Sequence, residues 1–471
     1  MSNIEKRVAF VEPRGAPSNV FAKFMTIPLL GPVVLATIAK EAGYDAYVLN
    51  ENILKRDISN DELKSIDILC MSCITATVNR GKEIAKRYKS VRGNLESRTI
   101  IGGIHASMMP EDVKNDFDQV FVGEAETKIL DLLEGKLKDK IVYGEKLENL
   151  DDVPISDFSL IKGLEKLKIR PLMASRGCPH DCNFCSVAEM FGRKYRFQSP
   201  ERVLEELMAY DKGNVFFADD NFTANPKHTD ELLDLMLKSG YKGAWSAQVR
   251  AQIAKKPELV AKMKKAGCDI VFIGFESVNP KSLIEMNKGQ TVEDIENAIK
   301  VFKKNGISVH GMYIIGTDSD TKSEFKTISK FNRKNKVDYV QYNLLTPLPG
   351  TRLYREFDAQ GRIFDKNWSH YDSTHVVYQP KNMTVNDLQY GMLRCYTDFY
   401  SYRNALRSAI GITYETGMTS LKKMFVKAHM PSFHPILMKF AGKHIVRSWL
   451  KKNRDYLRNL GAYSKPNYGR M

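Results

Sequence analysis

Long apolar runs are missing from this sequence: no window approaches eighteen consecutive apolar residues, the length at which a transmembrane helix becomes a candidate. The first residues, MSNIEKRVAFVEP, also lack the apolar stretch of a secretory signal. Cysteine is scarce as well. Seven cysteines, an odd number, are spread over 471 residues, so no disulfide framework is predicted and a reducing cytosol is the expected compartment.

Acidic residues are nearly missing from the end of the chain. Residues 403–471 contain 14 lysines and arginines against two acidic residues, Glu415 and Asp455, and so hold most of the formal net charge of +15. Residues 1–402 together are close to neutral. Overall, 43% hydrophobic and 27% charged residues are typical of a globular protein. This distribution does not favour nucleic-acid binding by the whole protein, and no nucleic-acid partner is expected.

Strand-like and helical patterns alternate through residues 1–146. Helical periodicity is interspersed with short apolar runs typical of strands, at 7–13, 44–51, 67–73, 98–105 and 119–124. The expected fold class is therefore α/β, beginning with a doubly wound Rossmann-like domain whose parallel sheet is covered on both faces. Ligands of such sheets bind beyond the carboxyl ends of the strands, where Gly102, Gly103 and Glu124 lie.

A second alternating pattern follows a linker at residues 147–169. Amphipathic segments separate six runs typical of strands, at 171–177, 214–220, 244–250, 269–277, 308–316 and 338–347. Six such units predict a partial (β/α)6 barrel over residues 170–354, with functional groups at the carboxyl ends of its strands. Residues 355–471 lose this rhythm and predict a helical C-terminal region with a basic tail.

The stretch GCPHDCNFC, residues 177–185, places three cysteines at the end of the first predicted barrel strand: Cys178, Cys182 and Cys185. Thiolates are ligands of iron–sulfur clusters and of zinc. A structural zinc site needs four ligands. The alternatives for a fourth are poorly placed, because His180 lies on the same tight loop and the Cys-x-x-Cys pair at 70–73 lies in another domain. Three thiolates suit a [4Fe–4S] cluster that keeps one iron open for a small molecule.

The spacing C-x3-C-x2-C, with Phe184 just before the last cysteine, resembles the radical S-adenosylmethionine (SAM) superfamily. The resemblance implies that the three cysteines hold a [4Fe–4S] cluster, that its open iron chelates SAM, and that Phe184 contributes to SAM binding. One-electron cleavage of SAM then gives a 5′-deoxyadenosyl radical, which abstracts a hydrogen atom from the substrate.

The resemblance also assigns roles to other strand ends. Where the family usually has Gly-Gly-Glu, this chain has Ala-Asp-Asp-Asn, and one carboxylate, Asp219 or Asp220, would hold the SAM ammonium by a charge-assisted hydrogen bond. The alternative is that the pair only caps the following segment. Arg250 would pair with the SAM carboxylate, unless it is a surface charge, and Glu276 would bond the ribose or the amino group.

Across residues 5–400 the chain resembles radical SAM enzymes with an N-terminal cobalamin-binding-type domain, and residues 377–384 resemble a region of hopanoid methylases and other lipid-modifying relatives. Cobalamin binding stays open at this point. The Asp-x-His-x-x-Gly motif of many cobalamin domains is missing, and His105 fits a structural role better than a cobalt ligand. The alternative is a domain that only shapes the active site.

The resemblance implies functionalisation of an unactivated carbon by methylation, carbon–carbon coupling or cyclisation. The expected substrate is lipid-like or another apolar small molecule, and the expected electron donor is a flavodoxin- or ferredoxin-type protein. A cobalamin-dependent methyltransferase of a natural product is one alternative, and a non-catalytic iron–sulfur or cobalamin-responsive regulator is another. The complete set of barrel motifs argues against the regulator, because a sensor needs no SAM pocket.

The basic tail contains an amphipathic pattern at residues 434–457, with Trp449 on its apolar side. Such a helix is typical of a membrane-surface element, which predicts peripheral contact with the inner face of the membrane. The alternative is a C-terminal helix packed on the barrel with a solvated basic face. Nucleic-acid binding is less favoured, because the aromatic residues follow no RNA-binding pattern.

Overall fold

The computed structural model of the protein describes residues 6–19, 27–210, 213–402, 404 and 442–463. Its first domain is a six-stranded parallel sheet in the order β2-β1-β3-β4-β5-β6. The strands are β1 Arg7–Glu12, β2 Asp45–Asn50, β3 Ile68–Ser72, β4 Arg98–Gly102, β5 Gln119–Val122 and β6 Ile141–Tyr143.

Both faces of this sheet are buried. Val8 and Phe10 of β1 belong to one apolar cluster, whereas Ala9 and Val11 belong to the cluster on the opposite face. Period-two alternation between two apolar faces explains why the strands read as continuous apolar runs. The covering helices are α1 Leu30–Glu41, α2 Glu51–Leu54, α3 Asn60–Lys64, α4 Val78–Arg92, α5 Ile104–Met108, α6 Pro110–Val113 and α7 Ile129–Glu134.

The second domain is a partial barrel of six parallel strands, β7 Ile169–Leu172, β10 Asn214–Phe217, β11 Trp245–Val249, β12 Cys268–Glu276, β13 Ser308–Ile315 and β14 Tyr339–Leu344. They are ordered β14-β13-β12-β11-β10-β7. The helices that follow these strands or lie between them are α8 Val187–Phe191, α9 Pro200–Ala209, α10 Pro226–Lys238, α11 Pro257–Lys265, α12 Pro280–Glu285, α13 Val292–Lys304 and α14 Glu324–Lys334. Proline at the first turn of α9 to α12 suits a position that needs no hydrogen-bond donor. The α/β prediction is confirmed.

Two details of the predicted strands are wrong. The expected first barrel strand, 171–177, is divided: β7 ends at Leu172, and β8 Ser175–Arg176 pairs antiparallel with β9 Arg196–Phe197. At the division, the Asp219 carboxylate takes the place of a strand partner: it accepts hydrogen bonds from the Ala174 amide, at 3.1 Å, and from the Ser175 hydroxyl. The short edge strand β6 was also not predicted.

The C-terminal region packs against both domains. Helix α15 spans Arg352–Ala359, α16 spans Val385–Phe399, α17 spans Gly442–Lys452 and α18 spans Arg454–Leu460. The Trp368 indole donates to Asp112 of the first domain at 3.1 Å, while Tyr396 of α16 donates to the Tyr342 carbonyl in the barrel. This region therefore ties the two domains together.

The described part of the tail packs on the protein, and the predicted membrane contact stays a prediction. Trp449 of α17 is fully buried and its indole donates to Thr374 Oγ1 at 3.3 Å. Asn453, which follows α17, donates to the Ser18 carbonyl at 3.1 Å and faces His375 Nε2 at 2.7 Å. The apolar side of α17 thus faces the protein core, as the alternative prediction had it. Residues 434–441 lie outside the described residues.

A buried charge cluster joins the first domain to the barrel. Glu124, just after β5, accepts hydrogen bonds from Arg176 and Arg196, which flank the cysteine segment, at 3.0 Å each. Burial raises the pKa of Glu124, but the hydrogen bond from Arg196 and the charge of Arg176 outweigh it, so the pKa of this carboxyl is lowered. The carboxyl edge of the first sheet is therefore held against the start of the barrel.

In the part of the chain that the structure describes, no helix is both long and apolar enough to cross a bilayer.

The buried position of Trp449 predicts a large stability cost for Trp449→Ala. Replacing a buried tryptophan by alanine costs about 3–5 kcal/mol of unfolding free energy, to be measured from urea-induced unfolding. Arg447→Ala is the matched control, because Arg447 is an exposed residue of the same helix, and it should change the midpoint little. Equal midpoints for both variants would contradict the packed position of α17.

Candidate functional site

The three cysteines lie on a partly buried loop between β8 and α8. The turn begins at Gly177, whose φ of +88° favours glycine, and a Cβ there would approach the Lys194 carbonyl to 2.8 Å. Burial raises the pKa of Cys178, and that of Cys185 to about 12, and the charges of neighbouring thiols and of Asp220 add to the rise. A bound cation would offset this cost, which is a reason to expect a metal cluster at the loop.

The number of thiols on the loop suits a cluster with one open iron better than a structural zinc ion, because such a zinc site needs four ligands. In a [4Fe–4S] cluster each thiolate binds a different iron, so the sulfur atoms stay apart. All three cysteines are free thiols, and they fit this ligand set.

The two candidate aspartates have different surroundings. Asp219 is completely buried beneath the loop, where it holds Ala174 and Ser175, and burial raises its pKa to about 7. Asp220 is only partly buried, bonds the Gly177 backbone, and lies close enough to Cys178 and Cys185 to influence both thiols. Asp220 is thus the carboxylate that influences the thiols, and Asp219 holds the backbone that precedes the loop.

Arg250 lies beside the cysteine loop and is not a surface charge. Its guanidinium is 3.9 Å from Cys182 Sγ, and the residue is 8% exposed. The same guanidinium donates to the Lys288 carbonyl, and Gln252 accepts from its Nε at 3.4 Å. The end of β11 therefore places a positive charge next to Cys182.

Glu276 ends β12 with a φ of +56°, which is uncommon for a residue with a side chain. Its Oε1 is 2.6 Å from the Lys288 ammonium, and both side chains are 9% exposed. Lys288 was missed by the sequence analysis. The available signal was its position between Asn287 and Gly289, two residue types that favour tight turns, soon after a strand end that carries a carboxylate.

Phe184 and His180 lie on the cysteine loop itself. Phe184 is partly buried against the barrel core, and nothing in the described contacts gives it a further role. Burial and the charges of Arg250 and Lys288 lower the pKa of His180 to about 4. His180 therefore lies near two positively charged side chains.

An apolar cavity of about 190 Å³ opens at the carboxyl edge of the first sheet. We call it the glycine-lined cavity, because Gly102, Gly103 and Gly123 form its wall, with Met173 and Arg176 of the barrel opposite. Gly103 has a φ of +88°, and a Cβ there would approach the Cys73 carbonyl oxygen to 2.8 Å. A side chain at position 103 would therefore strain this edge.

A second cavity of about 450 Å³ lies between the domains. This interdomain cavity is lined by Thr75 and Ile104 from the first domain, Leu348 from the barrel, Asp372 from the C-terminal region, and Ser186, the neighbour of Cys185. It brings the first sheet and the cysteine loop to one space.

His105 is structural, as the sequence indicated. It is fully buried, with Nδ1 3.3 Å from Thr75 Oγ1 and Nε2 3.2 Å from Asp112 Oδ2. Both ring nitrogens are engaged, so neither is available to a metal in this arrangement. Burial lowers the pKa of His105.

Two family models match separate parts of the chain. The radical SAM superfamily matches residues 172–331, and the B12 binding domain matches residues 25–133. The first match covers the cysteine loop with Arg250 and Glu276, and the second covers most of the first sheet. The family expected from the cysteine spacing is confirmed.

Curated relatives span most of this chain. An uncharacterized methyltransferase of Pyrococcus horikoshii is 30% identical over 80% of this chain and 88% of its own. The bacteriochlorophyllide d C-12(1)-methyltransferase of Chlorobaculum tepidum is 27% identical over 84% and 87%. The hopanoid C-2 methylase of Rhodopseudomonas palustris is 27% identical over 73% and 66%, so the expected resemblance to hopanoid methylases is also confirmed.

A solved structure shares the whole architecture. The cobalamin-dependent S-adenosylmethionine radical enzyme OxsB, with aqua-cobalamin and S-adenosylmethionine bound, superposes with a TM-score of 0.67 over 98% of this chain and 80% of its own. At 16% identity, the likeness applies to the fold.

The positions of the two aspartates predict different defects. Asp220→Asn should weaken SAM binding with the iron content intact, because a charge-assisted hydrogen bond is worth about 1.5–3 kcal/mol. Asp219→Asn should lower the unfolding midpoint, because a buried amide cannot accept from both donors as the carboxylate does. Calorimetric SAM titration and thermal unfolding of both reconstituted variants check this. A reversed pattern would assign the roles the other way round.

Proposed function

Because the chain belongs to the radical SAM superfamily, with a B12-binding domain ahead of its radical SAM domain, we propose that it is a cobalamin-dependent radical SAM methyltransferase acting on an unactivated carbon. The observation that carries the proposal is the interdomain cavity. Ser186, beside the cysteine loop, lines it together with Thr75 and Ile104 of the first domain. A radical source and a methyl carrier have to reach the same substrate carbon, and this cavity offers one space for both.

The barrel residues supply the SAM site in this proposal. Cys178, Cys182 and Cys185 would hold the [4Fe–4S] cluster, which supplies the electron for reductive cleavage of SAM. Arg250 would bind the SAM carboxylate, since it already lies 3.9 Å from Cys182 Sγ. Asp220 would accept from the SAM ammonium, and Glu276 from the ribose or the amino group. Partial burial of these charges strengthens each contact relative to water.

Cobalamin would lie at the carboxyl edge of the first sheet, with only part of the cofactor inside the glycine-lined cavity, because a space of about 190 Å³ is too small for the whole molecule. The glycine-lined cavity offers an apolar space at the carboxyl edge of the sheet, where doubly wound domains bind ligands. Gly102, Gly103 and Gly123 would let the backbone approach the cofactor closely. His105 is held by Thr75 and Asp112, so the lower face of cobalt would carry no nitrogen from this residue.

The substrate is proposed to enter the interdomain cavity. Apolar side chains such as Leu29, Ile74 and Leu348 line it together with polar groups such as Thr75 and Asp372. A small apolar or lipid-like molecule with a polar end fits this mixture. A flavodoxin- or ferredoxin-type donor would reduce the cluster. The free state of all seven cysteines is in keeping with a reducing compartment.

The first test is chemical. Anaerobically reconstituted protein, supplied with SAM and a reductant, should release 5′-deoxyadenosine, detected by chromatography, and should bind hydroxocobalamin in its absorption spectrum. Replacing the three cysteines by alanine should abolish the 5′-deoxyadenosine and the cluster absorbance while cobalamin still binds. A wild-type protein that forms no 5′-deoxyadenosine, although its cluster is complete, would refute the enzymatic proposal and favour the regulator.

Filling the glycine-lined cavity should weaken cobalamin binding without affecting the cluster. Gly102 has no positive φ, and a Cβ there meets only Phe121 at 3.9 Å, so Gly102→Ala should leave cobalamin binding intact. Gly102→Leu should reduce cobalamin retained after gel filtration about tenfold or more, since steric overlap worth about 1.4 kcal/mol is enough for that factor. The cluster should stay complete in both. Full cobalamin binding by Gly102→Leu would place the cofactor elsewhere.

A further inference from the structure

The turn after α12 is a point where three parts of the barrel mouth meet. Its backbone takes a left-handed conformation at Asn287 and Gly289, with φ of +51° and +64°. The Asn287 amide donates to the Asp181 carbonyl in the cysteine loop at 2.7 Å, and Gln252, just after β11, donates to the Gly289 carbonyl at 2.7 Å. Lys288, at the centre of this turn, is therefore held in place from both sides.

Lys288 contacts two proposed SAM ligands with different parts of the residue. Its carbonyl accepts a hydrogen bond from the Arg250 guanidinium, while its ammonium lies 2.6 Å from Glu276 Oε1. The backbone contact does not depend on the nature of the side chain. A change of side chain therefore acts on Glu276 and leaves the Arg250 contact in place.

The ion pair occupies space that a glycine keeps free. A Cβ on Gly274 would lie 2.3 Å from Glu276 Oε1 and 2.8 Å from Lys288 Nζ. The register of β12 against β13 shifts between Gly274 and Glu276, which turns the Glu276 side chain to the position of the pair. The left-handed φ of Glu276 belongs to the same distortion.

Lys288 leaves part of Glu276 free. Among the described residues, only Lys288 donates to this carboxylate, and it does so at Oε1. Oε2 thus keeps its capacity to accept a hydrogen bond at the mouth of the barrel. A carboxylate held at one oxygen by a lysine is fixed in orientation and open to a second donor.

We propose that Lys288 is a positioning residue of the SAM site, which holds Glu276 so that its second oxygen accepts from the ribose or the ammonium of SAM. This inference rests on the proposed function and adds to it a residue that acts through Glu276.

Calorimetric titration of SAM into the reconstituted, unreduced enzyme tests this role without turnover. Lys288→Met should weaken SAM binding about 10- to 100-fold, as expected for loss of a charge-assisted contact, and Lys288→Arg should bind close to wild type. The double variant with Glu276→Gln should bind no more weakly than Lys288→Met, because both changes remove one contact. Lys303→Met is the matched control, since Lys303 pairs with Asp338 at 2.8 Å at the other end of the barrel strands.

Gly274→Ala provides an independent variant that keeps both charges. Its Cβ should displace the ion pair and weaken SAM binding with the cluster intact. If Lys288→Met fails to fold, the SAM affinity of Gly274→Ala tests the role of the ion pair instead. Unchanged SAM affinity in the folded variants would overturn the proposal, and so would additive losses in the double variant. Failure of the proposed function is a separate result, because it appears as wild-type enzyme that forms no 5′-deoxyadenosine.

Discussion

The structure depends on a buried carboxylate between two arginines. Glu124 lies just after the fifth strand of the first sheet, and Arg176 and Arg196 lie on the two strands that flank the cysteine segment. Parallel strands place all their carboxyl ends on one edge. The Glu124 cluster sets that edge of the first sheet against the corresponding edge of the barrel. Removing one partner of such a buried pair leaves an uncompensated charge, which costs about 3–5 kcal/mol.

This orientation explains how the two cavities come to lie between the domains. Arg176, a partner of Glu124, also lines the glycine-lined cavity and is two residues from Cys178. The interdomain cavity extends from the first sheet to Ser186. One set of ionic contacts therefore fixes the distance between a site suited to cobalamin and a site suited to a cluster. The C-terminal region adds a second connection through Trp368 and Asp112.

Much of the fold could be predicted from the sequence, because the strands of the first sheet are apolar on both faces and amphipathic segments separate the barrel strands. The three-residue strand β6 is too short to show a period. The division of the first barrel strand could not be predicted, because Asp219, which bonds the backbone there, lies more than forty residues further along the chain. The tail shows the same limit: an amphipathic helix presents one pattern whether its apolar side meets lipid or, as at Trp449, a protein core.

Some residues of the candidate site could likewise be predicted from the sequence, and others could not. The cysteines were predictable because their spacing is local, and the comparisons confirm the family. The different surroundings of Asp219 and Asp220 were not predictable, because both residues lie beyond the end of β10 and their contacts are with residues 174–177, more than forty positions earlier in the chain. Lys288 was missed because its partner, Glu276, is brought to it by a turn and a strand distortion.

The central claim is that the cluster and cobalamin lie close enough to act on one substrate in the interdomain cavity. Pulsed electron paramagnetic resonance on protein loaded with both cofactors and reduced to their paramagnetic states measures the coupling between them directly. The account predicts a strong magnetic interaction between the cluster and the cobalt, which disappears when Cys178, Cys182 and Cys185 are replaced by alanine. Two full signals without mutual coupling would contradict it.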